Sequence, residues 1–152
     1  MNIRYEFHNG LPSEPLITSM VDLLQTVFNN RGREETVAEL SYQLARTAIP
    51  TFLAIDDQTV VGCKLGYERQ PGQFYSWLGC VSPSHRGQGI AAELMRQQHD
   101  WCRQQGYMTI RTQTYNQWRN MLILNLRFGF NIVGALQGKH GLMIVLEKDL
   151  QA

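Results

Sequence analysis

The sequence predicts a mixed α/β fold, α+β in its strand pairing, with one central, mostly antiparallel sheet of about seven strands and helices on both faces. Three observations predict it. Apolar residues recur at helical spacing in four segments and as short alternating or β-branched runs in seven others. Three of the strand runs follow one another through short polar turns, which favours antiparallel pairing. One strand run then passes through a glycine-rich loop into the longest helix and on to another strand, a crossover that makes the sheet mixed.

Residues 3–8 alternate enough for a first strand, and Asn9-Gly10-Leu11-Pro12-Ser13 is a loop. Residues 16–29 place Leu16, Ile17, Met20, Leu23, Leu24, Val27 and Phe28 at helical spacing, and the polar run 29–32 stops them. A second helix is expected over 34–47, with Val37, Leu40, Leu44 and Ala48 on its apolar face and Pro50 ending it. Strands follow at 51–55, 60–69 and 74–81, separated by Asp56-Asp57-Gln58 and Gln70-Pro71-Gly72-Gln73. The long helix is 90–105, with Ile90, Leu94, Trp101 and Cys102 as its stripe, a polar break at Gln98, and Gly106 as its C-cap. A strand at 108–114, a short helix at 118–128 ended by Gly129, and strands at 130–136 and 142–148 complete the order. No repeat or linker interrupts the chain, so one domain over residues 1–152 is expected.

Bulk composition narrows the function. With 152 residues, 43% of them hydrophobic and 18% charged, the chain is long and apolar enough to bury a core. A net charge of +1 gives no electrostatic case for a nucleic-acid partner, although a local basic patch around Arg31, Arg33, Arg86, Arg96, Arg103, Arg111, Arg119 and Arg127 stays open. No apolar run approaches a membrane span, and the first residues lack a secretory pattern, so a cytoplasmic protein is expected. Cys63, Cys80 and Cys102 are odd in number and widely spaced, so neither a disulfide framework nor a metal site is indicated.

The most informative stretch is Val81-Ser-Pro-Ser-His-Arg-Gly-Gln-Gly-Ile-Ala91. Small residues between a strand and a helix expose backbone N–H groups at the positive end of the helix dipole, a setting for phosphate or pyrophosphate. A P-loop needs Gly-Lys-Ser/Thr where Ile90-Ala91 stands, and a dinucleotide fold needs a third glycine where Ala92 stands. Neither fits.

Val81-x-Pro-x-x-Arg86-Gly-x-Gly-Ile-Ala91 resembles the acyl-CoA motif of the GCN5-related N-acetyltransferases, Arg/Gln-x-x-Gly-x-Gly/Ala. A second block, Asn116, Asn120, Met121-Leu122, Asn125 and Phe128-Gly129-Phe130, is similar to that family's later landmark, and the element order matches over nearly the whole chain. The resemblance implies a V-shaped splay between the fourth and fifth strands that receives the pantetheine arm of acetyl-CoA. Gly79, Cys80 and Val81 would then offer backbone groups to the arm, in a form of strand addition. Arg86, Gly87, Gln88, Gly89, Ile90 and Ala91 would hold the pyrophosphate, mainly by amides. Asn116, Asn120 and Asn125 would complete the acetyl-CoA contacts. The implied activity is transfer of an acetyl group to a primary amine by direct attack, the acceptor being a small amine, an amino acid or a peptide amine. The rival reading is a CoA-binding protein with little transferase activity. The family also leaves room for a homodimer.

Such a transfer needs a base for the amine, donors for the oxyanion and an acid for the leaving thiolate. Members of the family often carry Tyr where Asn125 stands, and an amide cannot serve as an acid near neutral pH. Tyr115, Tyr75 or a water are the substitutes. No carboxylate lies within 74–81 or 108–114, which leaves Glu68 as the nearest base candidate. Cys80 lies near the implied thioester position but has no His–Asp pair near it in sequence, so a nucleophilic role is disfavoured.

Overall fold

The structure is a computed structural model, which describes residues 2–29 and 32–151. Asn30 and Arg31, read above as part of a helix stop and of a basic set, lie outside the described residues. Seven strands form one sheet in the order β1-β2-β3-β4-β5-β7-β6. The chain divides into two compact units, Met1–Tyr67 with Leu78–Gln98, and Glu68–Trp77 with His99–Ala152.

The first unit opens with β1 (Ile3–Asn9), α1 (Leu16–Val27), α2 (Arg33–Leu44) and β2 (Pro50–Asp56). It continues with most of β3 (Thr59–Gln70), the end of β4 (Gln73–Val81) and the first half of α3 (Ile90–Gln104). β1 pairs antiparallel with β2 from Ile3↔Asp56 to Asn9↔Pro50, and β2 with β3 from Thr51↔Leu65 to Asp56↔Thr59. Pro50 therefore starts a strand; α2 has already stopped at Leu44. The α2 face also differs from expectation. Thr36 and Leu40 are its buried residues, while Val37 and Leu44 are exposed. The Gln25 amide of α1 donates to Thr36 Oγ1 at 2.8 Å, so a polar contact sets the face that spacing alone assigned to valine and leucine. Gly62 in β3 lets α3 approach: a Cβ there would lie 2.9 Å from Ile90 Cγ2 and 3.1 Å from Leu94 Cδ1. Ile90, Leu94, Met95, Gln98, His99 and Cys102 are the buried side of α3, a wider stripe than the expected one.

The second unit holds the start of β4, β5 (Thr109–Tyr115), α4 (Arg119–Arg127), β6 (Asn131–Gly138) and β7 (Gly141–Asp149). β4 pairs parallel with β5 from Gln73↔Thr109 to Ser76↔Thr112, the parallel pair expected of the crossover. β7 pairs antiparallel with β5 on one side and β6 on the other. α4 ends in a glycine turn: the Phe130 N–H donates to the Asn125 carbonyl and the Gly129 N–H to the Leu126 carbonyl, each at 3.1 Å. Gly129 has φ +93°, where glycine alone is unstrained. Phe128-Gly129-Phe130 is thus a helix stop that also fixes Asn125.

Candidate functional site

The Val81–Ala91 connection is held by bonds within it and by bonds to β2 and β3. The Ser82 N–H donates to the Val61 carbonyl at 2.7 Å, continuing the β3 edge past the end of β4. Pro83–His85 then form a short 3-10 turn, which the sequence reading had taken as plain loop. Ser84 Oγ lies 2.9 Å from His85 Nδ1, and His85 Nε2 lies 2.9 Å from Asp56 Oδ2. His85 therefore ties the loop to the end of β2. Arg86 turns its side chain back, Nε donating to the Val81 carbonyl at 3.3 Å.

Gly87 and Gly89 follow with φ +78° and +81°. L-residues are disfavoured there, yet a Cβ at either position would meet nothing within 4 Å. The glycines serve backbone conformation and leave open space in front of it. The Gly89 carbonyl accepts the Glu93 N–H at 3.0 Å and starts α3, and residues 86–89 are exposed. Backbone N–H groups at a helix N-terminus, unobstructed and flanked by Arg86, fit a diphosphate.

Gly79, Cys80 and Val81 end β4 just before this loop. A Cβ on Gly79 would lie 3.3 Å from Lys64 Nζ and 3.7 Å from the Cys63 carbonyl. Lys64 is 7% exposed, a nearly buried cation beside the strand. The sequence reading missed it, although one charge inside the apolar run 60–65 was the available signal. Cys80 Sγ lies 3.9 Å from Cys63 Sγ. The Cys63 contact and burial push the Cys80 thiol well above its ordinary range, outweighing the opposing pull of Arg86 and Lys64. A raised thiol favours the protonated form, which weighs against Cys80 as a nucleophile in acyl transfer.

The remaining candidates lie in the second unit and fall at two levels of β5. At its C-terminal end, the Tyr115 ring meets Trp118 edge-on at 5.1 Å and His140 at 6.2 Å. The Asn116 N–H donates to the Leu142 carbonyl, and its own carbonyl accepts from Arg119 Nε. Asn120 is exposed on the first turn of α4, whereas Asn125 is 3% exposed. Tyr75 is at the other level. It pairs with Arg111, four residues before Tyr115 and hence about 13 Å from it along the strand. The Arg69 guanidinium stacks on the Tyr75 ring at 3.8 Å. Glu68 lies beyond, exposed, and bonds Tyr107, which precedes β5. Burial first, then the Glu68 charge and hydrogen bond, push the Tyr107 phenol up to about 12. The structure thus groups Tyr115 with Asn116 and separates both from Tyr75 and Glu68.

The model of the acetyltransferase (GNAT) family matches residues 17–130, which spans the glycine loop and the Phe128-Gly129-Phe130 turn. No curated protein matches significantly. Among solved structures, aminoglycoside 6'-acetyltransferase type Ii superposes with a TM-score of 0.81 at 18% identity, over 95% of this chain and 97% of that one. An N-acetyltransferase from Staphylococcus aureus Mu50 gives 0.75 at 18% identity, over 97% and 99%. The PaiA N-acetyltransferase from Thermoplasma acidophilum, in complex with coenzyme A, gives 0.72 at 14% identity, over 98% and 99%.

Proposed function

Because the chain belongs to the acetyltransferase (GNAT) family, an acyl-CoA-dependent class of N-acetyltransferases, we propose that it moves acetyl from acetyl-CoA to a primary amine by direct attack in a ternary complex. The observation that carries this reading is the pair of positive-φ glycines facing open space at the N-terminus of α3. The amides of Arg86, Gly87, Gln88, Gly89, Ile90 and Ala91 hold the diphosphate of the donor, and the backbone of Gly79, Cys80 and Val81 receives its amide-bearing arm. Asn116, Asn120 and Asn125 are the further donor ligands in the proposal.

The backbone N–H of Gly79 stabilises the oxyanion, and the buried Lys64 cation beside Gly79 stabilises negative charge there. Tyr115 is the candidate acid for the leaving thiolate. Asn125, buried at the end of α4, orients by hydrogen bonding and does not transfer a proton. Tyr75 and Glu68, at the other level of β5, are left out of the chemistry. The acceptor is a small amine, an amino acid or a peptide amine. In this reading the protein works as one domain in the cytoplasm, where three cysteines outside any disulfide are ordinary.

Two measurements test this together. Titration calorimetry with acetyl-CoA, in competition with ATP and NAD, is expected to show acetyl-CoA as the tightest ligand; tighter ATP or NAD binding overturns the site. Release of free thiol across an amine panel is expected with at least one primary amine. Binding of acetyl-CoA without turnover on any amine would replace the enzyme with a CoA-binding protein.

A further inference from the structure

Two of the three thiols have no part in the chemistry above, yet they face each other. Cys63 of β3 and Cys80 of β4 are buried with their sulfurs 3.9 Å apart. We propose that Cys63 and Cys80 form a reversible dithiol that a hydroperoxide closes into a cross-strand disulfide, and that closure switches off acyl transfer.

The backbone is close to the required geometry. The Ser82 N–H bonds the Val61 carbonyl, so Val61 and Ser82 oppose each other as a hydrogen-bonded pair. Two residues along each strand, Cys63 and Cys80 stand in the same kind of pair. Such pairs place their Cα atoms about 5.5 Å apart, inside the range of about 4.4–6.8 Å that disulfides span. The Cβ atoms are less well matched, at about 5.5 Å against a disulfide mean of about 3.8 Å. Closing the bond must draw the two strands together locally. The bond is therefore strained and easily reduced, as labile and regulatory disulfides are.

The step balances with one equivalent of hydroperoxide. One thiol, as thiolate, attacks the distal oxygen to give a sulfenic acid and releases the alcohol, or water when the oxidant is hydrogen peroxide. The second thiol displaces the hydroxyl as water, and the S–S bond forms. Cys80, 6% exposed, is the less buried residue of the two, against 1% for Cys63. The Cys63 contact and burial raise the Cys80 thiol and leave little thiolate, so the reaction is slow and sustained oxidant is needed.

Closure has a consequence because Gly79 and Val81 flank Cys80 on the stretch of β4 proposed to receive the donor. Drawing Cys80 towards Cys63 therefore moves the peptide groups on which the donor's arm is proposed to bind. This part of the inference rests on the proposed donor site; the linkage itself does not.

The test treats the folded protein with hydrogen peroxide, alkylates free thiols, and reads thiol count and peptide mass alongside acyl transfer. The thiol count is expected to fall from three to one, with a Cys63–Cys80 linked peptide and the alkyl label on Cys102. Activity is expected to drop at least tenfold and to return with dithiothreitol. Cys63→Ala is expected to keep its activity through the same exposure, with Cys63→Ser as the second variant if alanine fails to fold. Absence of the linked peptide from treated, folded protein refutes the dithiol. A linked protein with undiminished activity refutes the switch. If untreated protein transfers no acyl group, the transferase reading has failed and the switch on acyl transfer falls with it, while the mass measurement still decides the linkage.

Discussion

Replacing Gly89 by aspartate separates the two properties of the loop, backbone conformation and open space. Gly89 has φ +81°, and a Cβ there would meet nothing within 4 Å. Gly89→Ala therefore carries only the left-handed penalty of about 1–2 kcal/mol. For a chain of this size that lowers Tm by about 2–8 °C, so the protein stays folded. Gly89→Asp carries the same penalty and adds a carboxylate in front of the amides. Placed about 5 Å from one phosphate charge at an effective dielectric of about 20, it contributes about 3 kcal/mol of repulsion. The aspartate variant should bind acetyl-CoA about 100-fold more weakly than the alanine variant. Calorimetry on both proteins, at low salt and at about 1 M salt, measures this. The gap should narrow in high salt, where charges are screened beyond about 3 Å. If Gly89→Asp is folded and binds acetyl-CoA within threefold of Gly89→Ala, no diphosphate sits on this loop.

The other predictions concern groups whose surroundings are unusual. Gln98 is fully buried on α3 with neither amide atom hydrogen-bonded among the described residues, so Gln98→Met should raise stability by about 1–3 kcal/mol. A lower urea midpoint for this variant, with an unchanged slope, would show that the amide is satisfied after all. The buried Thr114 hydroxyl has no hydrogen-bond partner among the described residues, and Thr114→Val should raise the urea midpoint. The Tyr107 phenol, raised from 10.0 to about 12, keeps its proton in the folded chain where the unfolded chain loses it. Stability should therefore fall as pH rises from about 10 towards about 12, and Tyr107→Phe should flatten that decline in denaturant titrations; an unaltered slope would sink the assignment. Asn125→Ala should lower kcat at least tenfold with the KM for acetyl-CoA nearly kept, as expected of an amide that orients the reacting group. Unchanged turnover would place the Asn125 amide away from the chemistry.

The contrast between what was legible and what was not follows the range of the interactions. The eleven-residue loop could be read because its conformation is local: φ values near +80° at positions 87 and 89 require glycine, and glycine is visible as a letter. The stop after α4 is legible for the same reason, since Gly129 and its neighbours satisfy the helix carbonyls within six residues. Strands β2 to β4 followed from alternation and short turns. The face of α2 did not follow, because Val37 and Thr36 have equal claims by spacing and the Gln25 contact from another helix decides between them. Buried Lys64 was equally hidden, since alternation places a side chain on a face without saying what covers it.

That division explains why the donor half of the reaction is better defined than the acceptor half. Binding a diphosphate on amides needs little beyond a local backbone shape, so a short motif specifies it. Proton transfer needs side chains within hydrogen-bond reach of the reacting atoms, and here those meetings come from distant parts of the chain. Glu68 could be named as a base candidate from its place at a strand end. Its role is decided by Tyr107, across the α3–β5 connection, at the other end of β5 from Tyr115. Tyr115 acquires its setting from Trp118 and from His140 at the β6–β7 turn. Cys63 and Cys80, seventeen residues apart, meet only because the β3–β4 hairpin keeps its register as far as Val61 and Ser82. A change that slips this hairpin by one residue would send Cys80 to the opposite face and break the dithiol, while leaving the glycine motif unaltered in sequence. The motif therefore carries the proposed donor site, and the register of β3 on β4 decides which side chains stand beside that stretch of β4.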